Sequence, residues 1–298
     1  MSHAPINEPA HFMMCKPSQF EVRYRINPWM NPAEWSKNAD ALSAVATLEW
    51  ERLHRAFSTL GARLTLIDQA QGLPDMTFVA NAAIVVDRRA LIARFRHPER
   101  EGETVRFLDV FARLKSQGVV DEFEAAPQHI VQEGAGDCLW DAHRQIFWAG
   151  FGPRSERRSV DVISDYFGHE VVPLELSTSE FYHLDVSMNC LPNGDIIYFP
   201  GAFSDIALGA IRERVSADQL IAVSREDADR LAVNSVCIGS TIVIADPSEA
   251  LTRQLGERGF NVRAAPLTAF RRSGGSACCL TLRLDLHSHS FAQTRRTA

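Results

Sequence analysis

Leu184-Asp185-Val186-Ser187-Met188-Asn189-Cys190-Leu191, then Pro192-Asn193-Gly194-Asp195, then Ile196-Ile197-Tyr198-Phe199: this stretch decides the fold. Asn-Gly between two apolar runs is a hairpin turn, because both residues tolerate the positive φ that tight hairpins need. Residues 205–215 follow with helical spacing, and 220–223 read as a third strand. The unit is therefore strand, strand, helix, strand.

The same rhythm extends in both directions. Leu42, Val45, Leu48, Leu53, Phe57 and Leu60 recur at helical spacing ahead of a strand at 64–67. Residues 82–86 and 91–95 read as paired strands. Thr104 is the expected cap of a helix carrying Phe107, Leu108, Phe111 and Leu114, which Gly118 ends. Ser155 is expected to open a helix running to Gly168, with strands at 171–174 and 184–191 beyond it. Further helices are expected at 225–233 and 248–258, and strands at 240–244 and 262–265. The units recur at very roughly 60 residues, but identity between them is too low to establish a repeat from pattern alone.

Composition narrows the function. The 298 residues are 46% apolar and 23% charged, and the net charge of -6 with no basic stripe argues against nucleic acid as a partner. No apolar run nears 18 residues and the first residues lack a signal-peptide pattern, which predicts a soluble cytoplasmic protein without a membrane partner. Six cysteines at 15, 138, 190, 237, 278 and 279 form no Cys-x-x-Cys pair, and in that compartment they are expected to be reduced. No linker divides the chain. The expected organisation is one domain over 1–286 and a polar, frayed tail over 287–298.

Four segments carry chemistry. Ser273-Gly274-Gly275-Ser276-Ala277-Cys278-Cys279-Leu280-Thr281-Leu282 sets a thiol after a flexible glycine loop, where a nucleophile can meet a planar substrate. Glu133-Gly134-Ala135-Gly136-Asp137 puts a carboxylate on a tight turn. In Phe181-Tyr182-His183-Leu184-Asp185, a period of two would place His183 and Asp185 on one strand face. Pro74-Asp75-Met76-Thr77-Phe78-Val79-Ala80-Asn81 brackets an aromatic ring with two polar side chains, a setting for a flat cation. Arg100 and Arg154 stand in polar loops, where either can clamp a carboxylate. Taken singly, each segment is more simply a packed thiol, a solvated turn or a solvated arginine; together they form a toolkit for attack on a guanidinium.

In combination and order, Asp-x-x-Phe, Glu-Gly, His-x-Asp and Cys-Leu-Thr resemble the guanidine-modifying, or pentein, superfamily. It includes arginine deiminase, dimethylarginine dimethylaminohydrolase, the amidinotransferases and the arginine dihydrolases. The resemblance runs from Met14-Cys15-Lys16-Pro17 and Tyr24-Arg25-Ile26-Asn27-Pro28-Trp29-Met30 to the terminal Cys-Leu-Thr. It implies an α/β fold, a five-bladed propeller of ββαβ units about a pseudo-fivefold axis, with the site at its centre. It further implies Cys279 as nucleophile, His183 as general acid and base, and Glu133 as the carboxylate partnered with His183. Asp185 and Asp75 would grip substrate nitrogens, Arg100 and Arg154 its α-carboxylate, and Asn27, Phe78 and Asn81 would complete the pocket.

The expected partner is a small guanidino amino acid, with no metal and no cofactor; His287-x-His289 is expected to be solvated. Two departures matter. Glu-Gly-Ala-Gly-Asp is one residue longer than the usual motif, leaving the role of Asp137 open. Asn81 replaces an acid common in the deiminating relatives, which is closer to the arginine dihydrolase branch. The expected activity is hydrolysis of guanidino C–N bonds of L-arginine or a close derivative, giving ornithine, citrulline or both. Dimethylarginine hydrolysis, amidinotransfer, a non-catalytic guanidino-acid-binding role and assembly into a homo-oligomer stay open on sequence.

Overall fold

Five three-stranded sheets repeat one local pattern. In each, a short first strand runs antiparallel to a central strand, and a helical crossover returns a third strand parallel to it. The sheet of Ala83–Val86, Arg89–Ile92 and Glu122–Ala125 crosses over through helix Pro98–Ser116. Its successors are Cys138–Asp141, Ile146–Phe151 and Val171–Glu175, crossed by Ser159–Phe167. Next come Met188–Cys190, Ile196–Tyr198 and Leu220–Ala222, crossed by Asp205–Arg214. Then follow Val236–Ile238, Thr241–Ile244 and Asn261–Ala264, crossed by Glu249–Glu257. The fifth sheet joins the two ends of the chain: Leu282–Arg283 pairs antiparallel with His11–Cys15, which crosses over through Ala39–Thr59 to Arg63–Ile67. The last strand thus supplies the first position of the first blade and closes the ring. This is the expected five-bladed α/β-propeller, seen in a computed structural model that describes residues 9–291.

Helices lie outside the sheets and bury one stripe each. In Ala39–Thr59 that stripe is Ala46, Trp50, Leu53 and Phe57, at helical period, with Phe57 edge-on to Phe12 at 4.9 Å. Val45 and Leu48, expected in the stripe, are exposed instead. Buried Glu49 reaches across to cap the short helix Thr268–Arg271, accepting from the Thr268 and Ala269 amides at 2.8 and 3.0 Å. That cap fixes where the loop toward Cys279 begins.

Several local expectations need correction. Thr104 lies inside its helix, bonded to the Ala93 carbonyl at 3.0 Å; the helix starts at Pro98, whose fixed φ suits a first turn. Arg100 is accordingly helical and buried rather than in a polar loop. Ser155 opens no helix, because its hydroxyl is committed to Asp137 at 2.6 Å. Residues 184–186 form a 3-10 turn, since Leu184 donates its amide to the Asp137 carboxylate at 3.0 Å and leaves the ladder; the strand begins at Met188. The helix from Arg225 ends at Asp229, two residues before Leu231 turns left-handed at φ 56°. The fraying expected from residue 287 does not begin there: Ser288 is buried, its amide and hydroxyl donating to Asp87 at 2.6 and 2.7 Å. His287 and His289 are exposed. No helix among the described residues is long and apolar enough to cross a membrane.

Candidate active site

The turns leading into the five first strands all converge on the propeller axis. They present Asn81 and its neighbours, Glu133 with Asp137, His183 with Asp185, Asn234, and Cys279. The first strands are only two to four residues long, so the segment before each is free of the ladder and can turn its side chains inward.

Cys279 and Asp185 meet there. The thiol donates to Asp185 Oδ2 at 3.2 Å, and both residues are buried. Asp185 Oδ1 is buried with no hydrogen-bond partner among the described residues, an acceptor aimed at nothing the protein supplies. Burial pushes the Asp185 carboxyl up to about 6 against the pull of His183. Burial, reinforced by Asp185, holds the Cys279 thiol well above its ordinary range, so it rests protonated.

Glu133 is fully buried and collects three donors. Arg154 Nη1 lies at 2.9 Å and His183 Nε2 at 2.8 Å from Oε2, while the Arg96 amide donates to Oε1 at 3.0 Å. Burial alone would raise this carboxyl; Arg154 and His183 outweigh it and hold it well below the usual range. Asp137 has a supporting position. Its oxygens accept from Ser155 N and Oγ and from the Leu184 amide, tying the Arg154 loop to the His183 segment.

On the opposite wall, Arg100 pairs with Glu103 through Nε at 2.9 Å and Nη2 at 2.8 Å. Its Nη1 donates to Asn81 Oδ1 at 2.9 Å, and Asn81 Nδ2 donates to the Glu133 carbonyl at 3.0 Å. Asp75 accepts from Tyr24 Oη at 2.9 Å and Ser273 Oγ at 3.4 Å. Two glycines of the sequence motifs are explained by close approach. A Cβ on Gly136 would lie 2.1 Å from Asn81 Nδ2, and one on Gly275 would lie 2.3 Å from Phe78 Cε1.

Among the sequence-predicted residues, Cys279, His183, Asp75, Asn81, Arg100, Arg154, Asn27 and Phe78 all line one central void of about 10 Å³. Glu133 and Asp185 touch it through His183 and Cys279. Neither arginine is a loose clamp, since each is paired with a buried glutamate; Arg154 bonds Glu133 and the Ile26 carbonyl, and its other N–H groups have no hydrogen-bond partner among the described residues. Cys278 faces away: it lines an apolar funnel of about 310 Å³ whose walls also carry Cys138, Cys190 and Cys237. Adjacent cysteines of one turn therefore serve opposite cavities. Sequence reasoning missed Asn234, Tyr24, Ser273 and Ser155. Asn234 alone had a signal, because Ala232-Val233-Asn234-Ser235 precedes its strand as Val79-Ala80-Asn81-Ala82 precedes another.

A five-bladed α/β-propeller with Cys, His and Glu on its axis defines the class of guanidine-modifying, pentein-fold proteins. The chain belongs to the N,N-dimethylarginine dimethylhydrolase family, whose eukaryotic form matches residues 16–286. It is 37% identical over 289 residues to the bifunctional arginine dihydrolase/ornithine cyclodeaminase ArgZ of Synechocystis sp., covering 95% of this chain and 40% of that protein. It thus spans about 40% of the length of that relative. It is 34% identical over 275 residues to the N(G),N(G)-dimethylarginine dimethylaminohydrolase of Mycobacterium tuberculosis, covering 92% of this chain and 85% of that one. The crystal structure of the substrate-bound N-terminal domain of ArgZ superposes with a TM-score of 0.86 at 35% identity, covering 93% and 99% of the two chains.

Proposed function

We propose that this chain hydrolyses the guanidino C–N bonds of L-arginine or a close derivative through a covalent intermediate on Cys279. One observation carries the reading: a buried thiol bonded to an acid whose second oxygen has no partner, facing a His–Glu pair across a void lined by two arginines. A void of about 10 Å³ holds roughly one water, so its lining must move apart to admit the ligand.

The chemistry follows from the charges. A guanidinium is a poor electrophile because its cation is delocalised. Asp185 Oδ1 takes its N–H groups and localises the charge. The cation also favours the thiolate, reversing the effect of burial and Asp185 on the resting thiol, and the thiol proton passes to His183. The sulfur attacks the central carbon, forming an S–C bond; His183, held by Glu133, gives a proton to the departing amine as the C–N bond breaks. Neutral His183 then draws a proton from water, whose oxygen attacks the thiouronium carbon and releases the ureido product and the thiol. Arg154 and Arg100 hold the α-carboxylate.

Asn81 favours a second round, and the similar protein ArgZ is an arginine dihydrolase. Arginine and two waters would give ornithine, carbon dioxide and two ammonia. A second reading is dimethylarginine hydrolysis to citrulline and dimethylamine, favoured by the family match and the mycobacterial relative. Mass spectrometry of products from arginine, asymmetric dimethylarginine and agmatine, supplied separately, decides between them. Ornithine with two ammonia per arginine supports the first reading. Dimethylamine release with arginine untouched supports the second, and no turnover of any of the three by a protein whose Cys279 is intact overturns both.

A further inference from the structure

Asn234 lies in the turn before Val236–Ile238, fully buried, and all of its side-chain hydrogen bonds go to the nucleophile's turn or its acid. Oδ1 accepts from the Cys278 amide at 2.9 Å and the Cys279 amide at 3.1 Å. Nδ2 donates to Cys279 Sγ at 3.2 Å and to the Asp185 carbonyl at 3.0 Å. The backbone bends ahead of it: buried Leu231, three residues earlier, is left-handed at φ 56°, a conformation that side chains with a Cβ rarely adopt. Cys279 is pinned from its other side by the Ala80 amide, which donates to its carbonyl at 3.1 Å.

We infer that Asn234 is the positioning residue for the nucleophile: its amide oxygen fixes the Cys279 backbone and its N–H holds the sulfur and stabilises the thiolate. The proposal rests on the reading of Cys279 as nucleophile, but not on which substrate is used. When the thiol loses its proton, its bond to Asp185 turns repulsive, whereas the Asn234 N–H bond becomes charge-assisted and strengthens. No other side chain among the described residues donates a hydrogen bond to that sulfur.

The test separates sulfur reactivity from turnover. In a Cys278→Ala background, alkylation of Cys279 by iodoacetamide, in which an S–C bond forms and iodide leaves, is followed by peptide mass spectrometry from pH 6 to 10. Asn234→Ala removes donor and acceptor. Asn234→Asp keeps the acceptor for both backbone amides, so it preserves the turn while replacing the N–H by a carboxylate oxygen. The expected result for both is a tenfold or greater loss of alkylation rate at pH 8 and an upward displacement of the alkylation profile, larger for Asn234→Asp. For guanidine hydrolysis, kcat falls while KM stays within about twofold. A profile superimposable on that of the parent, in an Asn234→Asp protein with unchanged circular dichroism, overturns the proposal even if turnover falls. A displaced profile in a protein that hydrolyses no guanidino compound sustains Asn234 and overturns only the substrate reading.

Discussion

Cys279 donates its thiol proton to Asp185 Oδ2 at 3.2 Å, and the other oxygen of that carboxylate, Oδ1, is buried without a partner among the described residues. An acid in this state is a cost to the fold that a bound cation would remove. The folded protein raises its pKa from 3.8 to about 6, so the protonated form is the one folding favours. Stability from this group is therefore full below pH 3.8 and lost as pH rises through 6, a difference of roughly 3 kcal/mol at most.

Asp185→Asn should then separate stability from activity. Chemical denaturation at pH 8 should show the variant more stable than the parent by about 1 to 3 kcal/mol, with the gain vanishing near pH 4. Guanidine hydrolysis should fall by about 10² or more, because the group that localises the cation is gone. A variant destabilised at pH 8 would show that Asp185 is part of the scaffold.

Glu133→Gln should behave in the opposite sense. Against burial, Arg154 and His183 hold the Glu133 carboxyl well below its usual 4.5, so its contribution to stability is present above that pH and lost as pH falls through the depressed value. Removing one partner of a buried ion pair costs about 3 to 5 kcal/mol at pH 7. Urea titrations should show that gap narrowing in acid; a gap independent of pH would refute the assignment of charge.

Gly136→Ala and Gly209→Ala make a matched pair. A methyl on Gly136 would lie 2.1 Å from Asn81 Nδ2, forcing Asn81 off Arg100, whereas Gly209, inside helix Asp205–Arg214, has nothing within 4 Å. The first should lose about 1 to 3 kcal/mol of stability and most activity. The second should gain about 0.5 to 1 kcal/mol with activity unchanged. Melting temperatures and initial rates check both, and equal effects would refute the close-approach argument.

The hairpin at Asn193-Gly194 and the crossover helices were legible because they obey local rules of turn chemistry and periodicity. The closing of the ring was not, since Leu282–Arg283 is too short to read as a strand and its partner, His11–Cys15, lies at the other end of the chain. At the site, the resemblance pointed to Cys279, His183 and Glu133, which the fold brings together at the axis. The strand face assumed for His183 and Asp185 was mistaken, because the Asp137 carboxylate draws residues 184–186 into a turn. Asn234 stayed hidden because its one signal, a run before a strand patterned like that around Asn81, carries no chemistry of its own; only the Cys279 sulfur beside it gives it meaning.

Asn81 bears on the product. Its Oδ1 is taken by Arg100 and one Nδ2 hydrogen by the Glu133 carbonyl, which leaves one N–H without a partner among the described residues. A urea oxygen accepts such a hydrogen, whereas a guanidinium has no acceptor to offer it. On the dihydrolase reading, that N–H retains citrulline for the second hydrolysis. Asn81→Asp removes it and adds an anion that suits the guanidinium but not the urea. With arginine as substrate, the ratio of citrulline to ornithine should rise about tenfold, the equivalent of one hydrogen bond of roughly 1.4 kcal/mol, while the first C–N cleavage persists. Quantifying both amino acids by mass spectrometry during steady turnover makes the comparison. A variant that still cleaves arginine with an unchanged ratio would leave the second hydrolysis to some other group and remove Asn81 from the explanation.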